Sequence, residues 1–257
     1  MDTLTVLMNI LVFLFGIAVG SFLNVCILRI PLGESVVTGP SHCVSCGRKL
    51  KWYENIPLFS FLALRGRCSS CKEKISLQYP LVEALNGVLW LLSFHVLGFT
   101  ADALIACLLV SALIVLSFID ARTREIPSGI TIFILALGVL ATLIDLQKWL
   151  LHIIGFFAVS LPLYLIFAAT KGKGIGGGDI KLMAGCGLLL GWKLVVLGFF
   201  LGCFAGALIH LALMALKKAD RTLSFGPYLS AGIFASLIWG TPLINWYVNM
   251  LLFSAPR

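Results

Sequence analysis

The sequence has very few charged residues for its length. Only 12% of its 257 residues are Asp, Glu, Lys or Arg, whereas 60% are hydrophobic. A soluble domain of ordinary composition carries roughly a quarter of its residues as charges. This scarcity excludes an ordinary soluble domain and predicts an all-α polytopic membrane protein.

Long stretches without any charge predict about eight transmembrane helices. A helix that crosses a bilayer needs roughly 20 apolar residues, and most of these stretches approach or exceed that length. The first stretch is too long for a cleavable signal peptide and has no basic residues before it. The eight uncharged windows are 3–28, 84–101, 103–119, 126–144, 149–170, 182–192, 194–216 and 222–256.

The basic residues predict the orientation of these helices. Window 182–192 is short enough for a re-entrant half-helix, but that arrangement would place Lys217, Lys218 and Arg221 on the wrong side of the membrane. With eight crossings and both termini outside, sixteen of the nineteen basic residues face the cytosol, as such residues usually do. The net charge of +8 then reflects topology and anionic lipid headgroups, with no role for nucleic acid. The predicted cytosolic loops are 29–83, 120–125, 171–181 and 217–221.

One polar loop, residues 31–79, is long enough to form a small domain. It contains Cys43-x-x-Cys46 and Cys68-x-x-Cys71, and two such pairs can hold one zinc ion in a tetrahedron of thiolates. Two disulfides are the alternative, but the predicted cytosolic side is reducing. A loop of about fifty residues buries too little apolar surface to fold alone, so a structural zinc has a clear purpose.

Two aspartates lie where apolar runs meet short basic loops. A carboxylate at the rim of the hydrocarbon layer is costly and usually functional, and two of them can act as general acid and general base. The structural alternatives are a helix N-cap for Asp179 and an ion pair of Asp120 with Arg122 or Arg124. Asp120 ends its apolar run, where the helix dipole disfavours a negative charge, so we expect Asp179 to be the more readily ionised. A close pair would titrate jointly.

The glycine-rich stretch before Asp179 contains Gly172-x-Gly174-x-x-Gly177, which satisfies a dinucleotide-binding pattern. That pattern has meaning only between a strand and a helix, whereas residues 161–170 end a predicted membrane helix. We therefore expect no nucleotide site here. Glycines instead allow the backbone to approach a substrate closely.

Besides the aspartates and cysteines, the sequence contains several short motifs in a characteristic order. They are Gly20-Ser-Phe-Leu-Asn24, Arg29-x-Pro31, Trp52-x-Glu54-Asn55-Ile-Pro57, Leu64-Arg-Gly66-Arg, Ile75-Ser-x-x-Tyr79-Pro80-Leu-Val-Glu83, Gly176-x-Gly178-Asp179-x-Lys181 and Phe225-Gly-Pro227. Through these motifs the chain resembles the type IV prepilin peptidases, bifunctional leader peptidases and N-methyltransferases of bacterial pilus and type II secretion systems. One departure is Ser224, where the family often has proline before Phe-Gly-Pro.

The resemblance implies an intramembrane aspartyl protease of the GxGD type, with Asp120 and Asp179 as its catalytic residues. It implies a zinc-binding cysteine loop, methyltransferase activity associated with Gly66, and S-adenosylmethionine as methyl donor. The substrate would be a prepilin or pseudopilin, whose short basic leader is cut after a glycine and whose new N-terminal residue is then methylated. The residues expected to position the substrate or the loops are Gly176, Gly178, Lys181 and Pro127, the last as the first residue of a helix.

These expectations divide the chain into three parts: a first transmembrane helix at 1–30, the zinc loop at 31–79 and a transmembrane peptidase domain at 80–257. A peptidase without methyltransferase activity, like the archaeal preflagellin peptidases, is one alternative, although those enzymes typically lack the cysteine loop. A non-catalytic zinc-loop scaffold would leave Asp120 unexplained. An ion-coupled transporter would predict inverted repeats and acids near mid-bilayer, and the sequence has neither.

Overall fold

The computed structural model of the chain describes residues 3–216 and 224–254. The described residues form helices joined by loops and contain no β-strand, which confirms the predicted all-α class. Lys217, Lys218 and Arg221, which supported the predicted orientation, lie outside the described residues. The helices are α1 (Thr3–Arg29), α2 (Phe59–Ala63), α3 (Gln78–Leu97), α4 (Ala101–Thr123), α5 (Ser128–Ile144), α6 (Trp149–Ala169), α7 (Gly177–Leu190), α8 (Trp192–Ala215) and α9 (Gly226–Ser254).

Six of these helices are long and apolar enough to cross a membrane, namely α1, α3, α4, α6, α8 and α9. Helices α5 and α7 have 17 and 14 residues. They therefore extend only about 25 Å and 21 Å, against a hydrocarbon core of about 30 Å. Each predicted window falls mainly on one described helix, but the count of eight crossings stays a prediction because α5 and α7 are short.

The chain divides into two compact units, Met1–Phe118 and Ile119–Arg257. In the first unit, α1 packs against α3 through Gly16 and Gly20, which lie one turn apart on α1. A Cβ atom on Gly16 would lie 2.7 Å from the Cα of Gly87, and one on Gly20 would lie 2.7 Å from the Cα of Glu83. Small residues at this spacing let membrane helices approach closely and pack their backbones together.

Buried polar side chains add hydrogen bonds between the helices of the first unit. The Asn86 side-chain amide on α3 donates to the Gly16 carbonyl at 2.7 Å. The Ser111 hydroxyl on α4 donates to Asn86 Oδ1 at 2.9 Å, and Trp90 Nε1 donates to Ser111 Oγ at 3.0 Å. The side-chain polar atoms of Asn86, Ser111 and Trp90 all have partners in this network, as an apolar environment requires. Asn86 is therefore a helix-packing residue.

In the second unit, α7 is surrounded by protein and packs against α5, α6 and α8. Its residues Leu182, Met183 and Cys186 have no exposed surface. Gly155 on α6 and Gly187 on α7 bring the two backbones into direct contact, and a methyl group on either residue would overlap the other. A helix enclosed in this way does not need to match the lipid thickness.

Replacing Gly155 by alanine is expected to destabilise the second unit, because the added methyl has no space between α6 and α7. Overpacking of this kind typically costs about 1–3 kcal/mol. The matched control is Gly129→Ala on α5, where an added Cβ would have nothing within 4 Å. Thermal unfolding of the detergent-solubilised protein should show a lower midpoint for Gly155→Ala alone, and equal midpoints for the two variants would contradict this packing.

Candidate active site and metal centre

Asp120 lies in the last turn of α4 and is 5% exposed. Its Oδ2 accepts the backbone N–H of Gly226, the first residue of α9, at 2.8 Å. The free N–H groups and the dipole at a helix N-terminus favour a negative charge. The expectation that Asp120 occupies only an unfavourable helix end was therefore incomplete, because the start of another helix compensates it.

Asp179 is the third residue of α7, and Gly176 occupies the N-cap position. The interpretation of Asp179 as the N-cap was therefore wrong, because Asp179 lies three residues after the N-cap. A Cβ on Gly176 would lie 3.0 Å from Asp179 Oδ2, so the carboxylate folds back over the start of its helix. Its other oxygen, Oδ1, is buried and has no hydrogen-bond partner within the described part of the chain. An unsatisfied carboxylate oxygen of this kind is able to bind a proton or a water molecule.

The two aspartates belong to the same unit and are close enough to repel each other when both are ionised. Each carboxylate lies at the N-terminal end of a helix, Asp120 beside α9 and Asp179 in the first turn of α7. Neighbouring carboxylates of this kind share a proton and titrate as a pair. Such a pair can activate a water molecule with one member and protonate a leaving group with the other.

The loop that follows Asp120 packs directly on the start of α7. A Cβ on Gly178 would lie 2.6 Å from the Cβ of Ile126, so only glycine fits at this position without movement of the loop. Lys181 Nζ lies 3.4 Å from the Ser128 hydroxyl at the start of α5. Pro127 was predicted to be the first residue of this helix, but it is the N-cap of α5, one residue before the observed start at Ser128, because its ψ of 129° is still extended. Of the predicted positioning residues, Gly178 and Lys181 therefore lie where the start of α7 contacts residues 126–128.

In the first unit, the four loop cysteines form a cluster. The Sγ atoms of Cys43, Cys46, Cys68 and Cys71 all lie within 4.8 Å of one another, and all four thiols are free. A tetrahedral zinc site with Zn–S bonds of about 2.3 Å spaces its sulfur atoms about 3.8 Å apart. The donor set and its spacing fit one metal ion, and the structure does not contain the alternative disulfides.

Each CxxC pair forms the same type of backbone knuckle. The N–H of Cys43 donates to Arg48 O, and the N–H of Cys68 donates to Glu73 O, both at 2.9 Å. Around the second knuckle, the backbone N–H groups of Cys71 and Ser70 lower the pKa of the Cys68 thiol to about 6. A thiol with this pKa is mainly thiolate at neutral pH, the form that binds metal.

Glu54 connects the two knuckles and is a residue whose role the sequence alone did not indicate. Its carboxylate pairs with Arg48 at 2.7 Å and accepts the Lys51 N–H at 2.8 Å and the Ser69 hydroxyl at 2.5 Å. The hydrogen bonds from Arg48 and then Lys51 lower the pKa of Glu54 to about 2. The stability contributed by the ionised form is therefore present above the ordinary carboxyl pKa and is lost as the pH falls toward 2.

Gly66 lies between α2 and the second knuckle and has a φ of +66°. Its N–H donates to Phe61 O at 2.9 Å, and its carbonyl accepts the Ile75 N–H at 2.8 Å. A residue with a side chain would be strained at this φ. The structure therefore assigns Gly66 a position in the turn that leads from α2 into the cysteine cluster.

Two family models match this chain. The Bacterial Peptidase A24 N-terminal domain matches residues 14–97, and the Type IV leader peptidase family matches residues 107–211. A Bacillus subtilis (strain 168) protein named prepilin leader peptidase/N-methyltransferase is 35% identical over 245 residues, which cover 94% of this chain and 98% of the relative. This chain belongs to the type IV leader peptidase family.

Other proteins similar to this chain carry the same name. The Legionella pneumophila protein is 32% identical over 94% of this chain and 95% of its own length, and the Pseudomonas aeruginosa protein is 33% identical over 92% of each. No solved structure gives a significant match. Together with the six long apolar helices, the family membership makes this chain a multi-pass inner-membrane protein.

The contacts of Glu54 predict that it would help the cysteine cluster to retain a bound metal ion. Glu54→Gln removes the charge that holds Arg48 and Ser69 together, so metal should pass to a chromogenic chelator faster than from the unmodified protein. The matched control is Glu73→Gln, since this exposed side chain lies in the same loop. Equal release rates from both variants would contradict a role for Glu54 in connecting the knuckles.

Proposed function

We propose that this chain cleaves the leader of type IV prepilins or pseudopilins and N-methylates the new N-terminal residue. The observation that carries the proposal is the pair of carboxylates, Asp120 and Asp179, which lie in one unit and interact electrostatically. Relatives named prepilin leader peptidase/N-methyltransferase align over nearly the whole chain, which supports both activities.

In the proposed hydrolysis, one ionised carboxylate removes a proton from water as that water attacks the scissile carbonyl carbon. The protonated partner then donates its proton to the leaving amine. The Gly226 N–H holds Asp120 in place through Oδ2, and Asp179 Oδ1 has no other partner in the described chain and can face the water. Because both aspartates start from similar helix-end environments, we assign the dyad as a unit.

We propose that the N-terminus lies outside and that the cysteine loop and both aspartates lie on the cytosolic side. The distribution of basic residues supports this orientation. The apolar stem of a prepilin would then lie among the membrane helices and lipids, with its scissile bond at the rim, where water and carboxylates meet.

The methyl-transfer half of the proposal concerns the first part of the chain. The four thiols would hold a structural zinc, and residues 31–79 would form the methyltransferase-associated domain between a first helix at 1–30 and the peptidase part at 80–257. S-adenosylmethionine, when bound, supplies the methyl group. The positive φ of Gly66 supports its role in shaping this domain.

The test is incubation of the purified protein with a prepilin and S-adenosylmethionine, followed by mass spectrometry of the substrate N-terminus. Asp120→Asn and Asp179→Asn should each reduce cleavage by about 10²–10⁴-fold, since each removes one partner of the acid–base pair. Asp102→Asn is the matched control, because this exposed aspartate lies at the other end of α4. Full cleavage by either dyad variant would overturn the assignment.

The same measurement separates the two activities. Replacing Cys43 and Cys46 together by serine should leave cleavage in place and abolish methylation, because the metal would support only the loop. Cys203→Ser, on α8, is the control outside the cluster. Loss of cleavage along with methylation would show that the cysteine loop also supports the peptidase.

The contact between Gly178 and Ile126 predicts a rescue experiment. Gly178→Ala should lower kcat by about 10²-fold, because the added methyl displaces the loop and a misplacement of about 1 Å is enough for such a loss. Ile126→Gly in the same chain should restore part of the activity by removing the atom that the methyl meets. Gly177→Ala, where an added Cβ meets nothing within 4 Å, should be nearly neutral. Equal losses at Gly177 and Gly178 would instead indicate that both glycines serve substrate approach.

A further inference from the structure

The short helix α2 and the turn before it expose apolar side chains in an otherwise polar loop. Trp52 is 80% exposed, Tyr53 45%, Phe59 63% and Leu62 71%. Phe59 and Leu62 are three residues apart on one face of α2, and α2 packs against the turn Trp52–Asn55. We call these four residues the α2 patch. An exposed apolar cluster of this kind marks a docking surface.

A hydrogen bond sets the depth of the patch in the membrane. Glu83 lies in the second turn of α3, a 20-residue apolar helix that needs its whole length to cross the bilayer. Its Oε2 accepts the backbone N–H of Leu58, the residue that precedes α2, at 2.8 Å. At 1.5 Å per residue, Glu83 lies about 7.5 Å along α3 from Gln78. Helix α2 therefore begins beside the membrane rim rather than far out in the aqueous phase.

The backbone at Leu58 is held in an unusual conformation at this hydrogen bond. Leu58 has a φ of +59°, which residues with side chains rarely adopt. Glu83 is only 6% exposed, and its carboxylate accepts the Leu58 N–H rather than pairing with Arg29. Arg29 instead donates to backbone carbonyls of its own loop, including Thr38 O at 2.8 Å. Helix α2 is therefore attached to α3 through the hydrogen bond from the Leu58 N–H to Glu83 Oε2.

The composition around the patch matches a lipid headgroup layer. Tryptophan and tyrosine are enriched where membranes meet water, because their rings are apolar and carry a polar edge. Lys51 precedes the patch and lies 5.7 Å from the Tyr53 ring centroid, and Arg65 follows α2. Basic side chains of this kind are attracted to anionic headgroups while their stems cover apolar surface.

We propose that the α2 patch inserts into the headgroup region of the same bilayer that α1 and α3 cross. The occupant of this surface is lipid, because the patch begins at the depth of the α3 rim and combines aromatic with basic residues. Short amphipathic segments with this composition lie in the plane of the interface. The insertion holds the cysteine loop against the membrane surface, and it does not depend on the proposed catalytic activity.

Quenching of Trp52 fluorescence by brominated lipids tests this proposal on the full chain. The protein is placed in vesicles of phosphatidylcholine and phosphatidylglycerol, with bromine near the headgroup end of the acyl chains. The Trp52 emission is the difference between the unmodified protein, which has six tryptophans, and Trp52→Phe. This emission should lose most of its intensity in brominated vesicles and respond little to iodide in the water.

Two further variants test the patch itself. Phe59→Ser combined with Leu62→Ser should weaken the quenching of Trp52 by brominated lipid, whereas Val37→Ser, at an 86% exposed residue outside the patch, should not. Emission from Trp52 that iodide quenches and brominated lipid does not would overturn the proposal. Protection from iodide that appears only when a prepilin is added would also overturn it, because the surface would then bind a protein partner.

Discussion

The hydrogen bond from Gly226 to Asp120 is the interaction on which the second unit depends most. A carboxylate at the end of an apolar helix has to find a partner, because neither lipid nor packed side chains can solvate it. The free N–H at the start of α9 supplies that partner and the favourable end of a helix dipole. The bond joins residues 106 positions apart and connects the end of α4 to the start of α9.

Close packing of helix backbones holds Asp179, the second aspartate, at the start of α7. Lipid is as apolar as the side chains, so membrane helices associate through close packing rather than through the hydrophobic effect. Gly155 and Gly187 hold α7 against α6, and Gly178 holds the start of α7 against Ile126. Asp179 therefore stays in the first turn of an enclosed helix, and α7 can be short because it does not have to match the lipid thickness.

In the first unit, a polar loop folds with little apolar core of its own. Four thiols close enough for one metal ion hold its two knuckles, and Glu54 connects them through Arg48 and Ser69. Glu83 attaches the same loop to α3 through Leu58. Through these contacts, the loop relies on its cysteine cluster and on its attachment to α3 rather than on a core of its own.

The sequence by itself determined the helical membrane class, the cysteine cluster, the two candidate aspartates and the family. Each of these follows from local composition or from motifs of a few residues, such as the uncharged windows and the pair at Cys43 and Cys46. The tertiary structure alone decided that Asp120 meets Gly226, that Gly155 meets Gly187, and that Glu83 holds Leu58. Those contacts join residues distant along the chain, so no local pattern specifies them. They arise because buried polar groups need partners and because backbones approach closely only where side chains are absent.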